Sequence, residues 1–337
     1  MNFKRLIFSV FVFAFLCGSV RAGTWTTGSV KNAAGSLEYK LWIPDGYVTS
    51  KNAALVLMLH GCMQKPEDLA AISGMNVLAD TNNFLVAYPQ QTAAANPLNC
   101  WNWFDPKHQE RDVGEPSLIA AVVQQVETSY SVDAARVYVV GISAGGAMAV
   151  LLAATYPELF NGVAVVAGTE YKAATTVQGG LAAMKQGGPD PKQQGQLAFE
   201  AIQRTPGATK KKLPLIAFQG AKDPYVNPIN TEQLIAQWAK TNDYLDDGKS
   251  NESVSLQSVK ESKGSVAGGY GYTKYSYYDH AKHLLMEKWL VDDLGHAWPG
   301  SPITNRFADP KGPNATAELW RFFNDTRSAP KQKGKNK

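Results

Sequence analysis

Long apolar runs are almost absent from this chain. The single clear one, LIFSVFVFAFL near the N-terminus, is shorter than the roughly 20 residues needed to span a bilayer, so no stable membrane anchor is expected. Net charge is small as well. A formal +4 over 337 residues is too weak an electrostatic footprint for a nucleic-acid partner, and the cluster Lys210, Lys211 and Lys212 and the tail PKQKGKNK read as solvated surface. The chain has no internal repeat and no long low-complexity linker, which argues against a string of tethered modules. Cysteine is scarce, at Cys17, Cys62 and Cys100 only. What remains is ordinary globular composition, 45% hydrophobic and 18% charged, with ample material for a large core.

The N-terminus reads as an export signal. MNFKR supplies positive charge, the apolar run follows, and Val20-Arg21-Ala22 brings small residues up to Gly23, which predicts cleavage after Ala22. Cys17 follows Phe15 and Leu16 rather than the small residues of a lipoprotein signal. The mature chain, secreted or periplasmic, then keeps only Cys62 and Cys100. A lone pair in an oxidising compartment reads most simply as a disulfide.

Beyond the signal, short β-prone runs alternate with helix-like segments, the pattern of an α/β fold with a mostly parallel central sheet flanked by helices. Strands are predicted at 38–43, 54–59, 84–88, 137–140, 162–166 and 215–219 and within 283–291. Helices are predicted at 66–80, 116–130, 144–156, 231–240 and 315–323, with Pro66 and Pro116 at tolerated first-turn positions. Residues 179–209, rich in Gly, Gln and Pro, read as an insertion over the sheet edge, 264–272 as a loop, and the aromatic run YTKYSYYDH as part of a hairpin. A single catalytic domain is expected over 23–325, followed by a disordered basic tail over 326–337.

The stretch Gly141-Ile142-Ser143-Ala144-Gly145 joins the strand VYVV to an alanine-rich helix. A G-x-S-x-G sequence in that setting forms a sharp turn that exposes the serine hydroxyl at a helix N-terminus. A serine needs a base to take its proton and an acid to orient that base. In this fold class both come later in the chain, acid first. Asp223 follows the strand at 215–219, where active-site groups of open α/β sheets collect. His296, in GHAWPG, follows the last strand. His108, His280 and His283 lack such a setting, and Asp292 and Asp293 come too late in the chain for the acid. An oxyanion needs two N–H donors: Ala144, next to the nucleophile, and Cys62, which follows the buried strand ending in His60-Gly61. A Cys62–Cys100 bridge would clamp that loop to the segment CWNWF. Trp101 and Trp103 suit either a cleft wall or the core. Trp298, two residues from His296, is expected at the cleft.

LHGCMQ, NCWNWF, RDVGEPS, RVYVVGISAGGAMA, QGAKDPYVNPIN and GHAWPG, in that order, resemble the polyhydroxybutyrate depolymerase family of secreted α/β-hydrolase esterases. Carbohydrate esterases that remove feruloyl or acetyl groups are related. The similarity runs from about Gly28 to Phe323. The resemblance implies Ser143 as nucleophile, Asp223 as acid, His296 as base and Cys62 with Ala144 as oxyanion donors, with neither metal nor organic cofactor. It implies hydrolysis of poly- or oligo(3-hydroxybutyrate). A monomer is expected. Many polymer-degrading relatives carry a linker and a polymer-binding module, and none is recognised after Phe323, so soluble oligomers or small esters are expected as substrates. Two alternatives stand beside this reading: a feruloyl or acetyl-xylan esterase with the same machinery, and a catalytically inactive binding module on a hydrolase scaffold.

Overall fold

The computed structural model describes residues 23–207 and 211–327. The expected export signal at 1–22, residues 208–210 with Lys210, and the expected tail from 328 onward lie outside the described residues. Ten strands form one sheet: β1 (Thr24–Asn32), β2 (Gly35–Ile43), β3 (Ala53–Leu59), β4 (Leu85–Gln90), β5 (Val132–Ile142), β6 (Val163–Val166), β7 (Leu215–Gly220), β8 (Val254–Ser265), β9 (Gly271–Asp279) and β10 (Leu284–Val291). Their order is β1-β2-β4-β3-β5-β6-β7-β10-β9-β8. The six from β4 to β10 pair parallel, and an antiparallel pair closes each edge. This is the mostly parallel, helix-flanked sheet expected from the alternating pattern, and the α/β-hydrolase arrangement that the family resemblance implies.

The central strands are apolar throughout because helices cover both faces. In β3 every residue is buried. Leu55, Leu57 and Leu59 face one layer, with α3 (Gly114–Ser129), α4 (Ala144–Thr155) and α7 (Ile229–Asp247), while Ala54, Val56 and Met58 face the other. That second layer holds α1 (Pro66–Ser73), α2 (Met75–Asn82) and α8 (Ala315–Asp325). Helix α4 is buried along its whole length, which its AGGAMAVLLAAT composition requires.

Several elements differ from expectation. The helix predicted over 66–80 breaks at Gly74, whose φ of 63° ends α1 and starts α2. Strand β1 was not predicted, because TWTTGSVKN is polar and mostly exposed; it is held by its antiparallel pairing with β2. The described part of the stretch expected over the sheet edge, 179–207, is mostly helical and packs on other helices instead. It holds most of α5 (Val177–Gln186) and all of α6 (Pro191–Gln203), capped by Thr176 and Asp190, and α6 packs against α7 and α4. The predicted loop at 264–272 is a turn flanked by the ends of β8 and β9, and the aromatic run forms β9 of the expected hairpin.

Candidate active site

Strand β5 ends at Ile142 and α4 begins at Ala144, leaving Ser143 on the turn with φ 57° and ψ −122°. A non-glycine residue there stores strain of order 1–3 kcal/mol, which the surroundings must hold. Two glycines make the turn possible. A Cβ on Gly141 would come within 2.1 Å of the Gly145 carbonyl oxygen, and one on Gly145 within 2.1 Å of the Leu59 carbonyl oxygen. The Ser143 N–H donates to the Val166 carbonyl at 2.8 Å, pinning the turn to β6.

Asp223 and His296 meet at the same end of the sheet. His296 Nδ1 donates to Asp223 Oδ2 at 2.7 Å, which leaves Nε2 as the acceptor nitrogen. The carboxylate is fully buried and held from several sides: Oδ1 accepts from the N–H groups of Tyr225 at 2.8 Å and Val226 at 2.9 Å, and Oδ2 also accepts from Gln219 Nε2 at 3.3 Å. Gln219 in turn accepts from Thr231 Oγ1 at 2.9 Å, so the Asp223 carboxylate is held by a polar chain that reaches into α7. His296 and Ser143 both line a cleft of about 600 Å³.

Cys62 and Ala144 line that cleft too, and among the described residues neither N–H has a hydrogen-bond partner. Ala144 opens α4, so its N–H carries the positive end of the helix dipole. The loop bearing Cys62 has no regular structure and is tied down by side chains. His60 Nε2 accepts the Gln91 N–H at 3.1 Å and Nδ1 faces the Gly61 carbonyl at 2.8 Å. Burial pushes the His60 pKa down, in keeping with a neutral ring that bonds at both nitrogens. Gly61 N–H donates to Gln64 Oε1 at 2.8 Å, and Trp101 Nε1 donates to the His60 carbonyl at 3.0 Å. The expected disulfide joins Cys62 to Cys100. Glu115, buried at the start of α3, accepts from Gln91 Nε2 and from both the backbone and side chain of Asn102, fixing the segment that carries Cys100.

Of the three candidate tryptophans, only Trp103 lines the cleft. Trp101 is buried beneath the Cys62 loop, where its indole serves the His60 carbonyl. Trp298 is a correction: it is fully buried in the opposite layer, its Nε1 donating to Thr316 Oγ1 at 3.0 Å. Residues two apart share a face only in extended chain, and here a tight turn, Ala297 N–H to the Gly295 carbonyl at 3.1 Å, rotates Trp298 away from His296. His108 accepts the Glu115 N–H at 2.9 Å at the start of α3, and His280 and His283 are exposed.

Sequence reading missed the far wall. Val177, Leu181 and Met184 of α5, with Phe104, Tyr225 and Phe307, make the cleft predominantly apolar. Arg306 stands at its edge, Nη2 donating to Tyr225 Oη at 2.9 Å. Only Phe104, at the end of the CWNWF segment, and Tyr225, two residues past Asp223, carried any positional signal.

A family model described as Esterase PHB depolymerase matches residues 37–257. Poly(3-hydroxyalkanoate) depolymerase C of Paucimonas lemoignei is 32% identical over 303 residues, covering 89% of this chain and 68% of its own length. Feruloyl esterase B of Neurospora crassa is 29% identical over 211 residues, covering 59% of this chain and 68% of its own. Among solved structures, an acetyl xylan esterase from Aspergillus awamori aligns with a TM-score of 0.66 at 18% identity, covering 89% of this chain and 99% of its own, a likeness of fold.

Proposed function

From the premise that the chain belongs to the PHB depolymerase family of esterases, we propose that it is an exported serine esterase that hydrolyses oligo- or poly(3-hydroxybutyrate) through Ser143, His296 and Asp223. One observation carries the reading: a hydrogen-bonded His296–Asp223 pair opens onto the same apolar cleft as a strained serine and two unpartnered amides. Ser143 Oγ attacks the ester carbonyl as His296 Nε2 takes its proton, and the Cys62 and Ala144 amides receive the oxyanion. His296 then protonates the leaving alcohol, and water repeats the sequence on the acyl-enzyme. Each oxyanion donor is expected to lower the barrier by ~3 kcal/mol. A disulfide that ties down the Cys62 loop supports export to an oxidising compartment.

The test is release of 3-hydroxybutyrate from soluble oligomers by the chain from Gly23 onward, beside Ser143→Ala. The substitution is expected to lower turnover by about 10⁴-fold or more. Undiminished release by Ser143→Ala refutes the nucleophile. No release by either protein refutes the substrate class. Trp103, Phe104 and Phe307 in the cleft favour a second reading, an aromatic acyl group such as feruloyl, for which methyl ferulate is the comparison substrate.

A further inference from the structure

The cleft is mostly apolar, with Gln64 and Asn96 as uncharged polar side chains beside Ser143 and His296. Beyond His296 itself, Arg306 is the only charged side chain among the described residues that line it. Elsewhere Arg111, Arg136, Arg321 and Arg327 each face a carboxylate within ion-pair distance, and Arg204, outside the cleft lining, donates Nε to the Glu200 carbonyl at 3.2 Å. Arg306 faces no carboxylate among the described residues. Its guanidinium lies over the rings of Tyr225, at 5.4 Å, and Phe307, at 5.2 Å, and one nitrogen is held by the Tyr225 hydroxyl. Two aromatic faces and one hydrogen bond restrain the group, and the remaining N–H donors of the fork stay available to a planar anion.

The position of this charge relative to the base selects which half of an ester it meets. The Tyr225 ring is 5.5 Å and the Phe307 ring 6.4 Å from the His296 ring, so Arg306 stands one ring away from the base. His296 must reach the leaving oxygen to protonate it, so the alcohol half of the substrate lies on its side of the cleft. In an oligomer of a 3-hydroxy acid, the alcohol half at the carboxyl end bears a free carboxylate two carbons from the ester-bearing carbon. Such a unit carries its carboxylate away from the base along the Tyr225 and Phe307 rings, over which the guanidinium lies.

We propose that Arg306 is a specificity-determining residue that binds the free terminal carboxylate of the leaving hydroxy acid. The enzyme accordingly prefers short oligomers with an open carboxyl end and shortens them from that end. The assignment rests on the hydroxyalkanoate reading above and adds to it a chain end and a direction of attack. A charge-assisted contact of this kind is expected to favour the open-ended substrate by about 10- to 100-fold in kcat/KM.

The experiment compares the 3-hydroxybutyrate dimer as free acid and as methyl ester, with wild type, Arg306→Gln and Arg306→Lys, using p-nitrophenyl butyrate to establish that each preparation is active. The acid-to-methyl-ester ratio of kcat/KM is expected to be well above one in wild type, to collapse towards one in Arg306→Gln, and to be partly restored in Arg306→Lys. A wild-type ratio near one, or a fall in Arg306→Gln that is equal on both dimers and keeps the ratio, overturns the assignment and leaves the hydroxyalkanoate reading standing. If wild type cleaves p-nitrophenyl butyrate but neither dimer, the hydroxyalkanoate reading falls and the assignment falls with it.

Discussion

Replacing Glu170 by glutamine should change how the stability of this protein varies with pH. Glu170 lies just past β6, is 2% exposed, and neither carboxyl oxygen has a hydrogen-bond partner among the described residues. Gly188 leaves room for it, since a Cβ there would come within 2.7 Å of Oε1. Burial, helped by the negative charge of Asp190, raises its pKa from 4.5 to about 8. The folded protein therefore holds a proton at pH 6 or 7 that the unfolded chain has released. The group's contribution to stability is full below 4.5 and is lost progressively as the pH climbs through about 8. At about 1.4 kcal/mol per pH unit, the interval from 4.5 to about 8 amounts to roughly 5 kcal/mol.

Glutamine has a similar shape and does not ionise, so Glu170→Gln removes this slope and leaves every other titrating group in place. Urea unfolding at pH 5, 6, 7 and 8 is the assay. The stability of Glu170→Gln relative to wild type should rise by roughly 4 kcal/mol between pH 5 and pH 8. Parallel profiles for the two proteins would refute the reasoning, and would mean that water or a local opening reaches the carboxyl group.

Two further predictions concern the loops around the cleft. Opening the Cys62–Cys100 bridge, as Cys62→Ser with Cys100→Ser, frees a link across 38 residues and should cost about 4 kcal/mol in urea unfolding. It should also lower kcat, because the Cys62 amide loses its clamp; unchanged kcat with the bridge gone refutes that coupling. Trp298→Ala should cost about 3–5 kcal/mol of stability through the cavity it leaves, without altering the ratio of activities on bulky and acetate esters. A selective loss on bulky esters would return Trp298 to the cleft wall.

The parts of the fold legible in the sequence are those whose pattern reflects burial on both faces. Strands β3 and β6, β5 from Val137 to Ile142 and β7 from Leu215 to Phe218 are apolar runs because helices cover them twice, and α4 reads as helix from composition alone. Candidate residues at strand ends were legible for a related reason: Ser143, Asp223 and His296 each follow a recognisable strand, and a parallel sheet delivers such ends to one side. Strand β1 was not legible because its hydrogen bonds to β2, rather than buried side chains, hold it. Helices α5 and α6 were hidden by glycines at 179, 180, 187, 188 and 195, two of which sit against Gln233 and Glu170 and one against Lys240. Their role is close approach, which composition reads as loop. Trp298 failed for a local reason, a turn at Gly295–Ala297 that no spacing rule anticipates.

The walls of the cleft are held with unequal firmness, and this has a consequence for catalysis. The Cys62 loop is pinned by His60, Gln64, Trp101 and a covalent bridge, and Asp223 by Gln219 and two backbone amides. Helix α5, by contrast, buries only Gly180 and Ala183, while Val177 and Leu181 stand half exposed towards the cleft. Beside the packing of Ala183 and Met184 on the core, polar contacts hold α5: the Met184 carbonyl accepts from the Asn227 N–H at 2.8 Å and from Asn230 Nδ2 at 3.0 Å, and Lys185 Nζ donates to the Pro224 carbonyl at 2.7 Å. All three partners lie on the segment immediately after Asp223. An acyl chain large enough to displace α5 is therefore expected to pull on the loop that holds Asp223, and through it on His296. On the proposed mechanism, substrate size is then expected to register in kcat as well as in KM, and a series of p-nitrophenyl esters of rising chain length whose effect falls on KM alone refutes the coupling.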